Sequence, residues 1–437
     1  MDASLYRQHV QYVLQQLEQI WDSCGIDKLV LHSGCHHYYF GDDQYAPFRT
    51  NPNFAYLVPI SGPGHCLVIR PGEQPKLIWY SPDDYWYEPT KLVESYWQNE
   101  FEMICVSKAD DVPKHVGEVG KAAFVGEDVA FAETCGFAAA QVNPDSVVTG
   151  LHWIRSYKSD YEIYCIEQAN DIAAKAHYAA RQVFENHGSE LDIHHAYVQA
   201  AGGIDAELPY ESIVALNQKG SFLHYVNKRR NVSGDVLLLD SGATYAGYAS
   251  DITRTWAASS VDEGFRAMLR DFNALELALC DAVKPDVSFV DLHVQAHQLI
   301  GELLANYQIL NVSGHEAFDR GLTRVFFPHG LGHFLGIQVH DVAGRQENIS
   351  GGAKAPPAEY PFLRTTRILE PTMVVTIEPG VYFIDSLLRP ERSGANARAF
   401  NWERIDAWRG YGGMRIEDDV LVTDGGHRNL TRPYHPE

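Results

Sequence analysis

The segment LLLDSGATYAGYASDITRTW, residues 237–256, is the feature of this sequence that most restricts its fold. An apolar run leads into Asp240, small and polar residues typical of a turn follow, and a second β-rich run completes the segment. This pattern predicts two antiparallel strands joined by a short turn. If the turn is centred on Tyr245 and Ala246, then Asp240 and Asp251 lie directly opposite each other, with Cβ atoms about 5 Å apart.

Two carboxylates opposed at the end of an apolar strand repel each other unless a positive charge compensates them. A divalent cation shared by Asp240 and Asp251 would supply that charge. The alternative is that one aspartate is an ordinary turn residue and the other is exposed to solvent. The pair alone leaves both interpretations open.

Two glutamates stand in similar settings further along the chain. Glu378 follows the apolar run of MVVTIEPG, and Glu417 lies in GGMRIEDDVLVT. Arg415 precedes Glu417 by two residues, which places both side chains on the same face of a strand. A carboxylate after an apolar run is not where a solvated charge is expected, so both glutamates are candidate ligands. The alternative is that they are ordinary polar residues at strand ends.

The segment HGLGHFLGIQVHD, residues 329–341, is rich in possible ligands. The spacing of His329 and His333 imitates the two-histidine helix of zinc proteases, but that motif needs a glutamate after the first histidine. Gly330 and Gly332 make a helix costly here. The segment is therefore predicted to be a loop that enters a strand over its last seven residues. The metal ligands must then be sought across the whole chain.

The pattern of apolar residues divides the chain near residue 155. Apolar residues recur at helical spacing from Leu5 to about Trp21. Short strand-like runs follow, namely KLVLHS, FAYLVPI, CLVIR, KLIWY, FEMICV and KAAFVGE. This alternation predicts an N-terminal α/β domain with a mixed sheet over residues 1–155.

Residues 156–437 form the second predicted domain, in which helices alternate with strands and loops. A long helix is expected to begin near its start, with Ser159 or Asp160 as the N-cap. Further helices are predicted at SELDIHHAYVQA, Glu263–Val283 and Phe289–Tyr307, and SIVALN predicts a strand. The expected fold class is therefore α/β (α+β).

Composition and patterning exclude several classes of function. The net charge of −22 argues against nucleic acid as a partner, because phosphate binding needs clustered lysine and arginine. No run approaches the roughly 18 apolar residues of a membrane span, and the polar N-terminal helix is unlike a signal peptide. Seven scattered cysteines without a CxxC pair favour reduced thiols over a disulfide framework. We therefore expect a cytoplasmic protein with no membrane partner.

Four motifs in this order resemble the pita-bread metallopeptidase family (M24), which includes prolidase, aminopeptidase P and methionine aminopeptidase. They are LLLDSGATYAGYASDITRTW, HGLGHFLG, TIEPGVYF and MRIEDDVLVT, and the resemblance covers roughly residues 155–437. It implies that the C-terminal domain has the pita-bread fold. It also implies five metal ligands, namely Asp240, Asp251, His333, Glu378 and Glu417.

This implied ligand set agrees with coordination chemistry. Four carboxylates and one imidazole form a hard, oxygen-rich set that favours two Mn²⁺ ions over a thiolate zinc site. The resemblance implies that Asp251 and Glu417 bridge the ions, with Asp240 on one ion and His333 and Glu378 on the other. Paired ions can bridge a water molecule and lower its pKa. The resemblance thus implies hydrolysis by a metal-bridged hydroxide.

The resemblance also implies a set of catalytic residues around the metals. They are His224, His329 and His340, together with Glu378, Tyr382 and Arg415. The histidines could bind the scissile carbonyl or move a proton, the glutamate could relay the proton, and the tyrosine could reach the oxyanion. Arg415 is expected to hydrogen-bond to the metal ligands and so orient them, and the alternative is that it only neutralises the acidic cluster. The alternative is that the histidines and the tyrosine are packed core residues.

A closer resemblance is to the branch that holds bacterial prolidase and organophosphorus acid anhydrolase. It rests on GDDQYAPFRTNPNF, ELPYESIVALNQKGSFLHY and EYPFLRTTRILE, and it extends over nearly the whole chain. It implies hydrolysis of Xaa-Pro dipeptides, with organophosphate triesters as side substrates. Aminopeptidase P, which accepts longer peptides, is the alternative. A metal-free hydrolase of the creatinase type and a binding module without catalysis are disfavoured by the complete ligand set.

The same branch implies substrate-binding residues outside the metal set, namely Asp43, Tyr210, Leu363 and Arg367. An arginine suits the free carboxylate of the proline because its guanidinium forks onto both oxygens. Arg364 is the second candidate for this role. A homodimer is expected, in which Asp43 of one subunit binds the free amine of a substrate in the other. The alternative is that Asp43 is an ordinary turn residue.

Overall fold

The computed structural model describes residues 2–86, 88, 92 and 94–435. The chain divides into two compact units, of which the first contains Met1–Tyr164 and Gln346–Gly352. The second contains Cys165–Arg345 and Ala353–Glu437. The division falls shortly after the predicted boundary at residue 155. The return of Gln346–Gly352 to the first unit was not predicted, and there the Gln346 side chain donates a hydrogen bond to the Thr149 carbonyl at 3.0 Å.

A mixed sheet forms the centre of the first unit. Its strands are β1 (Lys28–His32), β2 (Cys66–Ile69), β3 (Lys76–Tyr80), β4 (Glu102–Val106) and β5 (Ala122–Val125). Their order is β4-β3-β2-β1-β5. The pairs β1–β5 and β3–β4 are parallel, and the pairs β1–β2 and β2–β3 are antiparallel. The predicted α/β domain with a mixed sheet is therefore confirmed.

The helices of the first unit lie before, between and after these strands along the chain. They are α1 (Ala3–Cys24), α2 (Pro52–Ala55), α3 (Val112–Val116), α4 (Val129–Thr134) and α5 (Asp145–Arg155). The strand predicted at FAYLVPI is wrong, because its first residues lie in α2. Asn51 caps that helix by accepting a hydrogen bond from the Asn53 backbone, and Pro52 occupies its first position. This local capping chemistry outweighs the apolar run that follows.

The helices that follow residue 159 are longer on average than those of the first unit. They are α6 (Asp160–Glu185), α7 (Glu190–Ala201), α8 (Glu263–Asp281), α9 (Phe289–Asn306), α10 (Gly314–Asp319), α11 (Asp385–Glu391) and α12 (Trp402–Trp408). Ser159 caps α6, since its backbone N–H donates to Glu162 and its hydroxyl accepts from the Glu162 backbone. The helices predicted at residues 263 and 289 begin where expected.

The remaining strands form small sheets. They are β6 (Ile213–Leu216), β7 (Val236–Asp240), β8 (Thr244–Tyr245), β9 (Tyr248–Ala249), β10 (Thr253–Ala257), β11 (Gln346–Asn348), β12 (Gly351–Ala353), β13 (Val374–Ile377), β14 (Gly380–Tyr382), β15 (Gly413–Arg415), β16 (Asp418–Thr423) and β17 (Gly426–Asn429). The sheets have the orders β10-β7-β6, β13-β16-β17, β14-β15, β8-β9 and β11-β12.

Strand β7 explains how these sheets present carboxylates. Leu237 and Leu239 pack with residues of α6 and α7 on one face, whereas Leu238 packs with Tyr225 and Tyr382 on the other. The strand is therefore apolar on both faces until it reaches Asp240. A bridge between Thr253 and Glu417 links β10 to the chain just before β16.

Within the described residues, the helices fall short of the length and apolarity that crossing a bilayer requires.

Candidate metal centre

The hairpin that carries the two aspartates has a register that differs from the predicted one. Asp240 lies opposite Thr253, and the turn is centred on Ala246 and Gly247, which both have positive φ. The predicted direct opposition of Asp240 and Asp251 is therefore wrong. The residue opposite Asp240 is Thr253, two positions after Asp251. Because side chains alternate along a strand, this shift of two keeps Asp251 on the same face of the hairpin as Asp240. Diagonal neighbours of this kind remain within reach of each other.

Glu417 approaches this hairpin from a distant part of the chain. Its backbone N–H donates to the Thr253 carbonyl at 3.0 Å, and the Thr253 hydroxyl donates to Glu417 Oε2 at 2.7 Å. The glutamate is buried. Burial, with the nearby charges of Asp251 and Glu378, raises the pKa of Glu417 well above its ordinary value. The ionised form therefore needs a cation beside it.

His333 presents one ring nitrogen to the carboxylates. Its Nδ1–H donates to the Phe334 carbonyl at 2.9 Å, which leaves the Nε2 lone pair available. That Nε2 lies 3.4 Å from Asp251 Oδ2 and 3.9 Å from Glu378 Oε1. A hydrogen bond to a backbone carbonyl is how proteins commonly fix the tautomer of a metal-binding histidine.

Steric crowding explains why the residue before His333 is a glycine. A Cβ at Gly332 would lie 1.9 Å from the Thr376 carbonyl oxygen of β13, so only glycine permits this close approach. The strand predicted over residues 335–341 is wrong, since these described residues form no strand and an isolated bridge between Phe334 and Val375 lies just before them. The loop instead follows β13 and brings His333 beside Glu378.

Five predicted ligands thus converge on one region. Asp251, His333 and Glu417 each place a ligand atom within 4.8 Å of the others. Glu378 lies beside His333, and Asp240 belongs to the same hairpin as Asp251. Asp240 Oδ1 is buried and has no hydrogen-bond partner within the described part of the chain. A hard divalent ion would satisfy this oxygen, so the residues fit the implied metal. We call Asp240, Asp251, Glu378 and Glu417 the carboxylate cluster.

Arg415 is the buried arginine that contacts this cluster. Its Nη2 donates to Asp240 Oδ2 at 2.6 Å, its Nη1 donates to the Tyr382 hydroxyl at 2.9 Å, and its Nε donates to the Thr253 hydroxyl at 3.2 Å. The His329 Nδ1–H donates to the Gly330 carbonyl, so its Nε2 accepts from the Tyr382 hydroxyl at 2.9 Å. Burial and the Arg415 charge lower the pKa of His329 to about 3, so its ring is neutral.

A cavity of about 630 Å³ opens over the cluster. His224 and His340 are exposed and line this cavity, together with His329. Tyr210 also lines the cavity and donates its hydroxyl hydrogen to Asp251 Oδ1. The His340 ring packs edge-on against the His333 ring, with centroids 4.5 Å apart. The three histidines and Tyr210 therefore face one space, where a substrate could meet them.

The arginines near the cavity have different environments. Arg364 is exposed and lines the cavity. Arg345 also lines the cavity but is half-buried. Arg367 is buried, lies outside the cavity lining, and pairs with Glu370 at 3.2 Å. Leu363 lines a smaller neighbouring cavity of about 220 Å³. The geometry thus favours Arg364 over the predicted Arg367 as the group that meets a substrate carboxylate.

Asp43 lies in an exposed turn of the first unit. Its backbone N–H donates to the Asp42 side chain at 2.7 Å. This geometry is that of a turn residue, and its role toward a substrate stays a prediction.

A second buried group of charges was not predicted from the sequence, and we call it the arginine-paired cluster. It comprises Arg254, Glu276, Asp418 and Arg432. Asp418 accepts from Arg254 at 2.8 Å and from Arg432, and Arg432 also donates to Glu276 at 2.6 Å. The usable signal was the alternation along β10 and β16, where Arg254 and Asp418 directly follow Thr253 and Glu417 and so face the opposite side.

Comparison with known proteins assigns the class. Residues 164–424 match the family described as metallopeptidase family M24, and residues 4–153 match the one described as Xaa-Pro dipeptidase, N-terminal domain. The chain belongs to metallopeptidase family M24, whose members are hydrolases that use divalent metal ions. Curated relatives named Xaa-Pro dipeptidase, from Enterobacter sp. (strain 638) and Salmonella arizonae, are 42% and 41% identical, over 98% of this chain and 98% of their own.

Solved structures show the fold. Aminopeptidase P from E. coli with the inhibitor Pro-Leu has a TM-score of 0.74 at 21% identity, covering 99% of this chain and 96% of that one. Proline aminopeptidase P II from Yersinia pestis has a TM-score of 0.72 at 22% identity, covering 99% and 97%. The predicted pita-bread fold of the C-terminal domain is thereby confirmed.

Proposed function

We propose that this protein is an Xaa-Pro dipeptidase with two divalent ions at its centre. The proposed ligands are Asp240, Asp251, His333, Glu378 and Glu417. The observation that carries the proposal is the carboxylate cluster itself, in which Asp240 Oδ2 accepts from Arg415 while the buried Asp240 Oδ1 has no hydrogen-bond partner among the described residues. The names of the relatives at 42% and 41% identity support the substrate class.

Two divalent ions would neutralise the four carboxylates and supply Lewis acidity and an activated water. The oxygen-rich donor set favours Mn²⁺ among such ions. In this proposal the four carboxylates and His333 would hold both ions between them.

The chain's own groups then orient the substrate and move protons. The Tyr382 hydroxyl, held by Arg415, keeps the neutral His329 ring at the cavity wall. His224 and His340 face the cavity and can donate to the scissile carbonyl or the leaving nitrogen. Glu378 also lines the cavity, beside His333, where its carboxylate can take a proton from the attacking water and return it to the leaving nitrogen.

Selectivity for dipeptides requires a cation for the free carboxylate of the proline. Arg364 lines the cavity and is exposed, so it can bind this group, whereas Arg345, which also lines the cavity, donates to the Leu363 carbonyl. Arg367 is already paired with Glu370. A longer peptide would place an amide where a charge pair belongs, and this distinguishes a dipeptidase from aminopeptidase P.

The decisive experiment compares Xaa-Pro with Xaa-Pro-Ala on Mn²⁺-loaded protein. We expect rapid cleavage of the dipeptide only; equal turnover of both would indicate aminopeptidase P. Arg364→Ala should lower kcat/KM for Xaa-Pro by about a hundredfold, as for losing one partner of a charge pair worth ~3 kcal/mol. It should spare an uncharged phosphotriester, the proposed side substrate. Arg367→Lys, which keeps the pair with Glu370, is the matched control and should leave kcat/KM unchanged.

The sequence also supports a cytoplasmic homodimer, in which Asp43 of one subunit binds the substrate amine in the other. Asp43→Ala should raise KM for dipeptides and leave the metal content unchanged, whereas Asp42→Ala serves as the neighbouring control. An unchanged KM discards this role, and light scattering tests the dimer.

A further inference from the structure

His224 lies in the loop that joins β6 to β7 and faces the cavity over the carboxylate cluster. Its ring is exposed and makes no hydrogen bond to any described residue. A side chain without hydrogen bonds of its own is placed by its backbone. The position of His224 therefore depends on whatever holds this loop.

One carboxylate, Glu190, holds both ends of the part of this loop that runs from Leu216 to Arg229. It lies in the first turn of α7 and is fully buried. Its Oε1 accepts from the Leu216 backbone at 3.1 Å and from Arg229 Nη2 at 2.6 Å. Its Oε2 accepts from the Tyr225 hydroxyl at 2.9 Å and from the backbone and Nε of Arg229 at 2.8 and 3.0 Å. Five hydrogen bonds thus converge on this side chain.

These contacts close the segment between Leu216 and Arg229 around one buried anion. Arg229 Nη2 also donates to the Leu216 carbonyl at 3.1 Å, which joins the two ends directly. Tyr225, the residue next to His224, points its hydroxyl to the same carboxylate. Burial alone would raise the pKa of Glu190, but hydrogen bonds from Arg229 lower it below its usual value, so the anchor is ionised.

We propose that Glu190 is a positioning residue of the hydrolytic reaction, which acts by fixing Tyr225 and Arg229 and so holds His224 at the cavity wall. This inference rests on the proposed function, in which His224 meets the substrate. The competing explanation is that Glu190 stabilises the fold alone. The two explanations differ in whether the effect of Glu190 passes through His224.

A double-mutant cycle separates them. Glu190→Gln should lower kcat for Xaa-Pro by about 10- to 100-fold, the range for residues that orient a functional group, with KM changed less than about threefold. In the His224→Ala background the same change should cost less than about twofold, because the two residues act as a unit. A full, multiplicative loss in that background overturns the proposal.

Tyr225→Phe keeps the test open if Glu190→Gln folds poorly. It removes one of the five hydrogen bonds and should lower kcat by about fivefold, again only when His224 is present. Tyr307→Phe, which removes an exposed hydroxyl bonded to Asp271, is the matched control and should leave kcat unchanged. If Tyr225→Phe lowers kcat equally with and without His224, Glu190 does not act through His224 and the proposal is wrong.

Hydrogen exchange provides a measurement that does not depend on activity. Peptides spanning residues 217–229 should exchange more than about tenfold faster in Glu190→Gln than in wild type, because the loop opens locally. If the exchange rates of these peptides are unchanged, Glu190 does not hold the loop and the proposal is wrong. Absence of Xaa-Pro hydrolysis in the metal-loaded wild type overturns the proposed function and the role of His224 with it, and exchange still decides whether Glu190 holds the loop.

Discussion

The carboxylate cluster and the arginine-paired cluster lie on opposite sides of the same strands. Thr253 and Glu417 serve the first, whereas the next residues, Arg254 and Asp418, serve the second. Glu417 and Asp418 are buried to nearly the same degree, at 2% and 0% exposure. Burial therefore cannot explain any difference between them.

The difference lies in the supply of cations. Asp418 contacts Arg254 and Arg432. Although burial alone would raise its pKa, these arginines lower the pKa of Asp418 below its ordinary value. Burial and neighbouring carboxylates raise that of Glu417. The arginine-paired cluster has two arginines for two carboxylates, whereas the carboxylate cluster has one arginine, Arg415, for four carboxylates and needs further positive charge from outside the chain. This contrast supports the proposed metal centre more strongly than acidity alone.

Removing a ligand should have the largest effect. Glu417→Gln preserves shape but deletes the charge of a proposed ligand, so kcat should fall more than about a thousandfold (~4 kcal/mol). Elemental analysis should find fewer than two ions per chain. Wild type stripped with a chelator should behave in the same way and recover with Mn²⁺. Full activity in the stripped wild type would contradict the proposed centre.

Breaking the other cluster should affect stability instead. Asp418→Asn leaves Arg254 without an ionised partner and Arg432 with Glu276 alone, and should lower the free energy of unfolding by about 3 kcal/mol, as for a broken buried ion pair. Urea unfolding of metal-saturated protein measures this. Asp424→Asn, at an exposed position just after β16, is the control, with an expected change under about 0.5 kcal/mol. Similar losses in both variants would show that the arginines do not depend on Asp418.

A smaller effect is expected at Thr253, whose hydroxyl donates to Glu417 and accepts from Arg415. Thr253→Val keeps the shape of the side chain and removes both bonds. Metal affinity should fall by about 10- to 100-fold, as for other residues that orient a ligand. Competition with a fluorescent chelator measures this, and Thr244→Val on the same hairpin should retain wild-type affinity. Equal affinities for both variants would discard the role of the hydroxyl.

The smallest expected effect is on the free energy of unfolding of the metal-free protein, and it should have opposite signs for substitutions in the two clusters. In excess chelator, Glu417→Gln should leave the free energy of unfolding unchanged or raise it by up to about 1 kcal/mol, because it removes one of several buried like charges. Asp418→Asn should remain destabilising under the same conditions. If both variants destabilise the metal-free protein equally, the comparison between the clusters is wrong.

The candidate site could be largely predicted because its residues follow apolar runs. Asp240 and Glu378 directly follow such runs, and that position is visible in a single sequence. The hairpin register could not be predicted in this way. It depends on Ala246 adopting a positive φ, a conformation that alanine seldom takes and that no side-chain pattern signals.

Pairings between distant residues were also beyond the sequence. Asp418 meets Arg254 and Arg432 because strands from separate parts of the chain come together, and no local spacing reveals this. The choice between Arg364 and Arg367 had the same limitation, since both occupy one short segment. Their burial differs because of what packs around them.

The bridge between Thr253 and Glu417 has a consequence for biosynthesis. These residues are 164 positions apart, so closing the site requires a contact of high sequence separation. Contacts of this kind form slowly, since a long loop must close before the contact can stabilise it. A nascent chain that has not yet reached residue 417 lacks one proposed ligand. If the proposed ligands are correct, the full set is therefore assembled only after the C-terminal strands have docked.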